Sequence, residues 1–130
     1  MRKTFFWLAG VIGTLAMPAR ASAQDPLKLY PGNYTVLFEN DNVRVLDFRL
    51  ARGATETTHT HPANVAIFLT DVMIRFTLPN GDTRLRQAKA GEVSWSPATA
   101  HASENIGPAD AHGIIVELKR PAAAHPGGTD

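Results

Sequence analysis

The chain contains no cysteine. That absence excludes disulfides, thiolate metal sites and cysteine nucleophiles. It also lacks an apolar run of the roughly 20 residues that a helix needs to span a bilayer. Its longest candidate, Phe5 to Met17, has 13 residues. No Lys/Arg cluster of the kind that marks a nucleic-acid footprint is present. Arg84 and Arg86 come nearest to one, and read as the solvated face of a strand. No apolar period of 3.6 is sustained over ten residues, so long amphipathic helices are not expected.

What is present begins with a leader. Arg2 and Lys3 precede the apolar stretch, Pro18 breaks it, and Ala21-Ser22-Ala23 is a small-x-small cleavage site. This is the three-part pattern of a secretory signal peptide, so residues 1–23 are expected to be removed on export to the periplasm or medium. Neither a twin-arginine pair nor a lipobox cysteine accompanies it. Removal takes Arg2, Lys3 and Arg20, leaving ten basic against twelve acidic residues and a net charge of −2. The remaining 107 residues make one domain with no disulfide to staple it, held by its core alone. No membrane or nucleic-acid partner is expected of it after cleavage.

Residues 24–33 carry Pro26, Pro31 and Gly32 and read as an extended arm, with Tyr30 packed on the domain. Residues 34–120 read as short strands separated by turns. These are Tyr34–Glu39, Val43–Leu50, Val65–Leu69, Val72–Leu78, Thr83–Lys89, Glu92–Ser96, His101–Ile106 and His112–Lys119. Val65–Leu69 is dense enough in apolar residues to be buried on both faces. Val72, Ile74, Phe76 and Leu78 alternate cleanly with Met73, Arg75 and Thr77. Pro79-Asn80-Gly81-Asp82 is a hairpin turn. Leu85 is expected inward with Arg84 and Arg86 outward, and Val93, Trp95 and Phe68 are assigned to the core. The turn Gly107–Asp110 is expected to pair the last two strands as a hairpin. Residues 121–130 are a Pro/Ala/Gly tail expected to be disordered. About eight or nine strands at this spacing mean a sandwich or a barrel.

The chemistry lies in the histidines. His59 and His61 are one residue apart, which on a strand places both imidazoles on one face. His101 belongs to a later strand. Two ligands from one strand and a third from a distant one can build a metal site, and imidazole suits Zn, Cu, Fe and Ni. Parity turns Glu56 and Glu104 away from that face unless a bulge intervenes. Thr57, Ser103 and Asn105 share the histidines' parity; Asn105 serves equally well to cap the turn before Gly107. Asp47 is a carboxylate from a neighbouring strand. His112, about 13 Å along its strand from the expected partner of His101, is too far for the same ion. His125 lies in the tail.

Gly53, five residues, His59, Thr60, His61 is one spaced motif; Gly91, five residues, Pro97, His101, three residues, Asn105 is a second. In both, the chain resembles the cupin family. The resemblance implies an all-β fold, a single-domain cupin jelly-roll barrel of two antiparallel sheets, open at one end, with His59, His61 and His101 facing inward near that mouth. It also implies a divalent metal (Fe, Mn, Ni, Cu or Zn), a small-molecule ligand and a homodimer. The chain departs from the family pattern at three points. Val65 or Ala66 stands where the first motif places a metal-binding Glu. Thr99 replaces a usual glycine. Pro97 to His101 is one residue short.

The function expected is that of an exported small cupin-domain protein holding a divalent metal through three histidines and binding or acting on a small organic molecule. Three protein ligands leave open positions for water or substrate, which suits a metal-dependent oxygenase or isomerase. No inward general base is evident from the sequence. A non-catalytic ligand-binding module and a structural barrel without metal are the alternatives.

Overall fold

The computed structural model describes residues 24–119. Residues 1–23, expected to be a signal peptide, and the expected tail with His125 lie outside them. The described chain is a short helix, α1 (Pro26–Leu29), and nine strands. The strands are β1 (Tyr34–Glu39), β2 (Val43–Leu50), β3 (Thr55–His61), β4 (Asn64–Phe68), β5 (Val72–Thr77), β6 (Thr83–Ala88), β7 (Val93–Ser96), β8 (Thr99–Asn105) and β9 (Ala111–Leu118). They form two antiparallel sheets, one ordered β1-β2-β9-β4-β7 and the other β3-β8-β5-β6. The expected strands are therefore present, each within two or three residues of its expected bounds.

Residues 24–33 depart from the extended arm. Asp25 caps a single helical turn by accepting from the Leu27 amide at 3.1 Å, and Pro26 occupies the first helical position. Its fixed φ suits that place and its missing N–H costs nothing there. The arm is tied to the barrel: the Thr60 amide donates to the Gln24 carbonyl at 2.9 Å, and the Tyr30 ring lies 6.0 Å from the His59 ring, edge to face.

The motif glycines Gly53 and Gly91 both have positive φ, +74° and +89°. An L side chain is strained there, so glycine is the residue that lets the chain enter β3 and β7 at the required angle.

The core lies between the sheets. Leu46, Phe48 and Leu50 from β2, Phe68 from β4, and Val72 and Ile74 from β5 are its buried apolar residues, with Tyr34. Gly113 pairs with both Phe48 and Phe68, and a Cβ there would come 3.0 Å from the Ile67 carbonyl oxygen. A bare backbone at that point lets three strands approach closely.

Three expectations about facing are overturned. Val93 and Trp95 are 64% and 55% exposed, because Ser94 and Ser96 are the β7 residues that turn inward, opposite Ala66 and Asn64. Trp95, Val65, Val116, Val45 and Phe38 instead form one row across the outer face of the five-stranded sheet. Val65–Leu69 is accordingly not buried on both faces: Val65 and Ile67 are half-buried and Leu69 is exposed. On β6, Leu85 is 59% exposed, while Arg84 and Arg86 pair with Phe76 and Ile74 and so share their inward face. The Gly107–Asp110 turn is not a hairpin either. It carries the chain from β8 in one sheet to β9 in the other. Asn105 supports that crossing, donating to the carbonyls of Leu50 and Ala109 at 2.9 Å and accepting from the Gly107 amide at 3.0 Å.

Candidate metal centre

β3 and β8 pair His59 directly with His101, and His61 follows on the same face of β3. The three histidines that the spacing singled out therefore converge. One nitrogen from each ring lies within 4.8 Å of the other two, and the ring centroids are 4.9–5.5 Å apart. His59 is fully buried and His61 nearly so.

Two of the rings are fixed in one tautomer. His59 Nδ1 lies 2.9 Å from the Thr57 carbonyl oxygen. A carbonyl only accepts, so Nδ1 carries the proton and Nε2 keeps its lone pair. That Nε2 is the one buried side-chain polar atom without a hydrogen-bond partner among the described residues. Buried polar atoms are nearly always paired, so an orphan calls for an explanation. His61 Nδ1 lies 2.7 Å from Glu117 Oε1, donating to a carboxylate and again leaving Nε2 free. A second ring nitrogen held by a carboxylate or carbonyl is the usual support of a metal-binding imidazole. The donor set fits a cation: three imidazoles, two with oriented lone pairs, and carboxylates behind them.

Of those carboxylates, Glu117 was not legible as a site residue, and Glu56 was expected to face away unless a bulge intervened. Between Glu56 and His59 the β3–β8 register shifts, so that Glu56 faces Ser103 while His59 faces His101. The extra residue is a bulge, and it reverses the parity that turned Glu56 outward. Glu56 is buried, with Oε2 at 3.7 Å from His59 Nε2. Its oxygens accept from Asn33 Nδ2 at 2.7 Å, the Tyr34 hydroxyl at 3.0 Å and the Ser103 hydroxyl at 2.8 Å. It stands beside the cluster, where the family pattern's own Glu is missing. Thr57, given the histidines' parity, is instead exposed and bonds to the Tyr30 hydroxyl from its amide and its side chain.

Glu117 comes from β9 in the opposite sheet. It is buried beside His61, and its other oxygen accepts from Arg44 Nε at 2.7 Å. Arg44 in turn grips both oxygens of Asp25 at 2.9 and 3.2 Å. Asp25, Arg44, Glu117 and His61 thus form one chain of charge-assisted hydrogen bonds from the arm to the histidines.

Burial pushes the His101 pKa down to about 3, with further repulsion from His59 and His61. Burial also pushes His59 down, against the pull of the Thr57 carbonyl. Burial, and then the adjacent Glu56 carboxylate, raises the Tyr34 phenol well above its usual range.

The remaining candidates lie elsewhere. Glu104 faces outward and pairs with Arg75 at 2.8 Å, as parity required. Asp47 binds His112 at 2.7 Å and Arg49 at 2.9 Å, away from the cluster. His112 stays off the site, though for a different reason from the expected one. It lies on β9, whose partners are β2 and β4 and not β8.

In front of the histidines is a cavity of about 370 Å³. His61 and His101 line it, together with Phe48, Phe68, Phe76 and Ile115. Phe76 packs on the His101 ring at a centroid distance of 4.5 Å. The size lies in the range of small-molecule sites.

Neither a protein-family model nor a curated protein matches this sequence. Solved structures do match in fold. A cupin domain from Bordetella pertussis Tohama I superimposes with a TM-score of 0.62 at 22% identity, over 67% of this chain and 92% of that one. An RmlC-like cupin with a double-stranded β-helix fold from Methanocaldococcus jannaschii gives 0.53 at 18% identity, over 65% and 77%. The polyketide cyclase RemF from Streptomyces resistomycificus gives 0.53 at 16% identity, over 67% and 64%. Two antiparallel sheets in this strand order, the paired motif glycines and these neighbours agree: the chain is a cupin by fold, a double-stranded β-helix with three histidines gathered where they can hold a metal ion.

Proposed function

We propose that this chain is an exported small cupin that holds one divalent metal ion through His59, His61 and His101 and presents it to a small organic molecule in the barrel cavity. The observation that carries the reading is the buried, unpartnered lone pair of His59 Nε2 beside two other imidazoles. A cation held jointly by the three rings would satisfy it. When bound, a metal with three protein ligands keeps positions open for a water or a substrate oxygen and polarises it. The chain's own residues do the rest. Thr57 and Glu117 fix the ring tautomers. Glu56 and Glu117 place negative charge behind the cluster. Phe48, Phe68 and Phe76 keep the cavity side largely apolar. The occurrence of a polyketide cyclase among the structural neighbours supports a cupin cavity as a place for chemistry, while fold alone does not transfer a reaction. The family's usual Glu is missing from the first motif, yet Glu56 restores a buried carboxylate, and this favours a metal site over an empty structural barrel.

The test is elemental analysis of the protein exported by a bacterial host and purified without a metal-affinity tag. About one equivalent of Fe, Mn, Ni, Cu or Zn per chain is expected in the wild type. The H59A/H61A variant should retain none. Equal metal content in the two, or none in the wild type, overturns the reading. The export half rests on the pattern of residues 1–23. Amino-terminal sequencing of the same exported material should begin at Gln24; a chain still starting at Met1, and found only in the cytoplasm, would refute it.

A further inference from the structure

The cavity's second polar feature lies on β6, at the other edge of the four-stranded sheet from His59 on β3. In the four-stranded sheet, Glu56, Ser103, Phe76 and Arg84 are successive register partners in one inward row, and Ile74 and Arg86 continue the next. Arg84 and Arg86 therefore sit on the same cavity wall, about 7 Å apart along β6. Both line the cavity; Arg84 is exposed at its rim and Arg86 is half-buried. Arg44, Arg49, Arg75, Lys89 and Lys119 each have a carboxylate partner. Among the described residues Arg84 and Arg86 have none, as is true of the exposed Lys28 and Arg52, but of these four only Arg84 and Arg86 line the cavity, which no Asp or Glu lines. Two like charges on one wall of a partly apolar cavity repel each other and lack compensation. Guanidinium groups in that state select a planar anion that takes two parallel N–H bonds. The rest of the lining includes Phe48, Phe68, Phe76 and Ile115, with Ser94, Ser96 and Thr99 as neutral hydrogen-bonding groups.

We propose that Arg84 and Arg86 form an anion-binding site, and that the ligand is a small organic acid: a carboxylate held by the arginines and an apolar body lying along the phenylalanines. That the body points toward a metal rests on the function proposed above; the arginine site does not.

The probes are phenylacetate and its uncharged counterpart phenylacetamide, titrated calorimetrically into the wild type, R84Q/R86Q and H59A/H61A. The wild type should bind the acid at least about tenfold more tightly than the amide, as expected for a hydrogen bond to a charged group. That preference should fall to near unity in R84Q/R86Q, whose metal content stays at the wild-type level, and should persist in H59A/H61A. Loss of the preference in R84Q/R86Q with no metal in any sample upholds the anion site while the metal reading falls. Equal affinity for acid and amide in the wild type overturns the proposal, as does failure of phenylacetate to bind at millimolar concentration. A preference that survives R84Q/R86Q but disappears in H59A/H61A also overturns it, by assigning the anion to the metal.

Discussion

Replacing Glu117 with alanine should cost about 3 kcal/mol of stability and lower metal affinity roughly 10- to 100-fold. The carboxylate is buried and has two charged or polar partners, His61 at 2.7 Å and Arg44 at 2.7 Å. Removing one partner of a buried pair leaves the other uncompensated, typically at about 3–5 kcal/mol. Arg44 keeps Asp25, which holds the effect near the lower end. The metal effect has a separate origin. Without an acceptor at Nδ1, the His61 ring loses the bond that fixes both its orientation and its tautomer.

Glu117→Gln separates the two effects. The amide oxygen can accept from only one of the two donors at full strength. If it turns toward Arg44, its NH₂ faces His61 Nδ1, which must then accept, and the proton moves to Nε2. The lone pair needed for a metal is then lost while the packing volume is kept. Glu117→Gln should therefore lose metal affinity at a smaller cost in stability than Glu117→Ala. Competition titration against a metal chelator, urea unfolding of the metal-free proteins and nitrogen chemical shifts of His61 measure the three quantities. Unchanged metal affinity in Glu117→Gln would show that the carboxylate is structural only.

The division between what was legible in the sequence and what was not follows from where information is local. The trio His59, His61 and His101 could be named because a one-residue spacing on a strand fixes relative facing, and the glycines at Gly53 and Gly91 mark the turns that frame it. Strand positions were readable from alternation. Facing failed in two ways. At Glu56 a bulge inserted one residue and reversed the parity, and neither Thr57 nor Thr58 announces a bulge by composition. At Leu85 and Trp95 the alternation was read correctly but assigned the wrong sign. The usual preference for apolar residues inside is overridden where the interior is an open cavity rather than a packed core. There Ser94, Ser96, Arg84 and Arg86 face in, while Leu85, Val93 and Trp95 face out. Glu117 was out of reach for another reason. Its partner His61 is 56 positions away, on a different sheet, and no local pattern encodes that pairing.

Acid should destabilise the metal-free protein through these same histidines, with a sign that can be worked out. In the folded protein burial, and then repulsion from His59 and His61, lowers the His101 pKa from 6.5 to about 3. Burial lowers His59 as well. Well above pH 6.5 these two rings are neutral in folded and unfolded chains alike, and contribute no pH dependence. Between 6.5 and about 3 the unfolded chain takes up a proton that folded His101 refuses, so stability falls as pH falls. The slope contributed by one such group is at most about 1.4 kcal/mol per pH unit. His59, lowered in the same direction, adds to the slope, and His101 is its main contributor. Carboxylates titrate in part of the same window, which makes the comparison with His101→Gln the informative one. Urea unfolding of the chelator-treated proteins between pH 6 and pH 4 should give a wild-type slope steeper than the variant's by up to about 1.4 kcal/mol per pH unit. Equal slopes would mean that His101 is solvated in the folded protein and takes up its proton as freely there as in the unfolded chain. A steeper wild-type slope would show the opposite: the fold spends stability to keep the His101 lone pair unprotonated, a cost that a bound cation would offset by mass action.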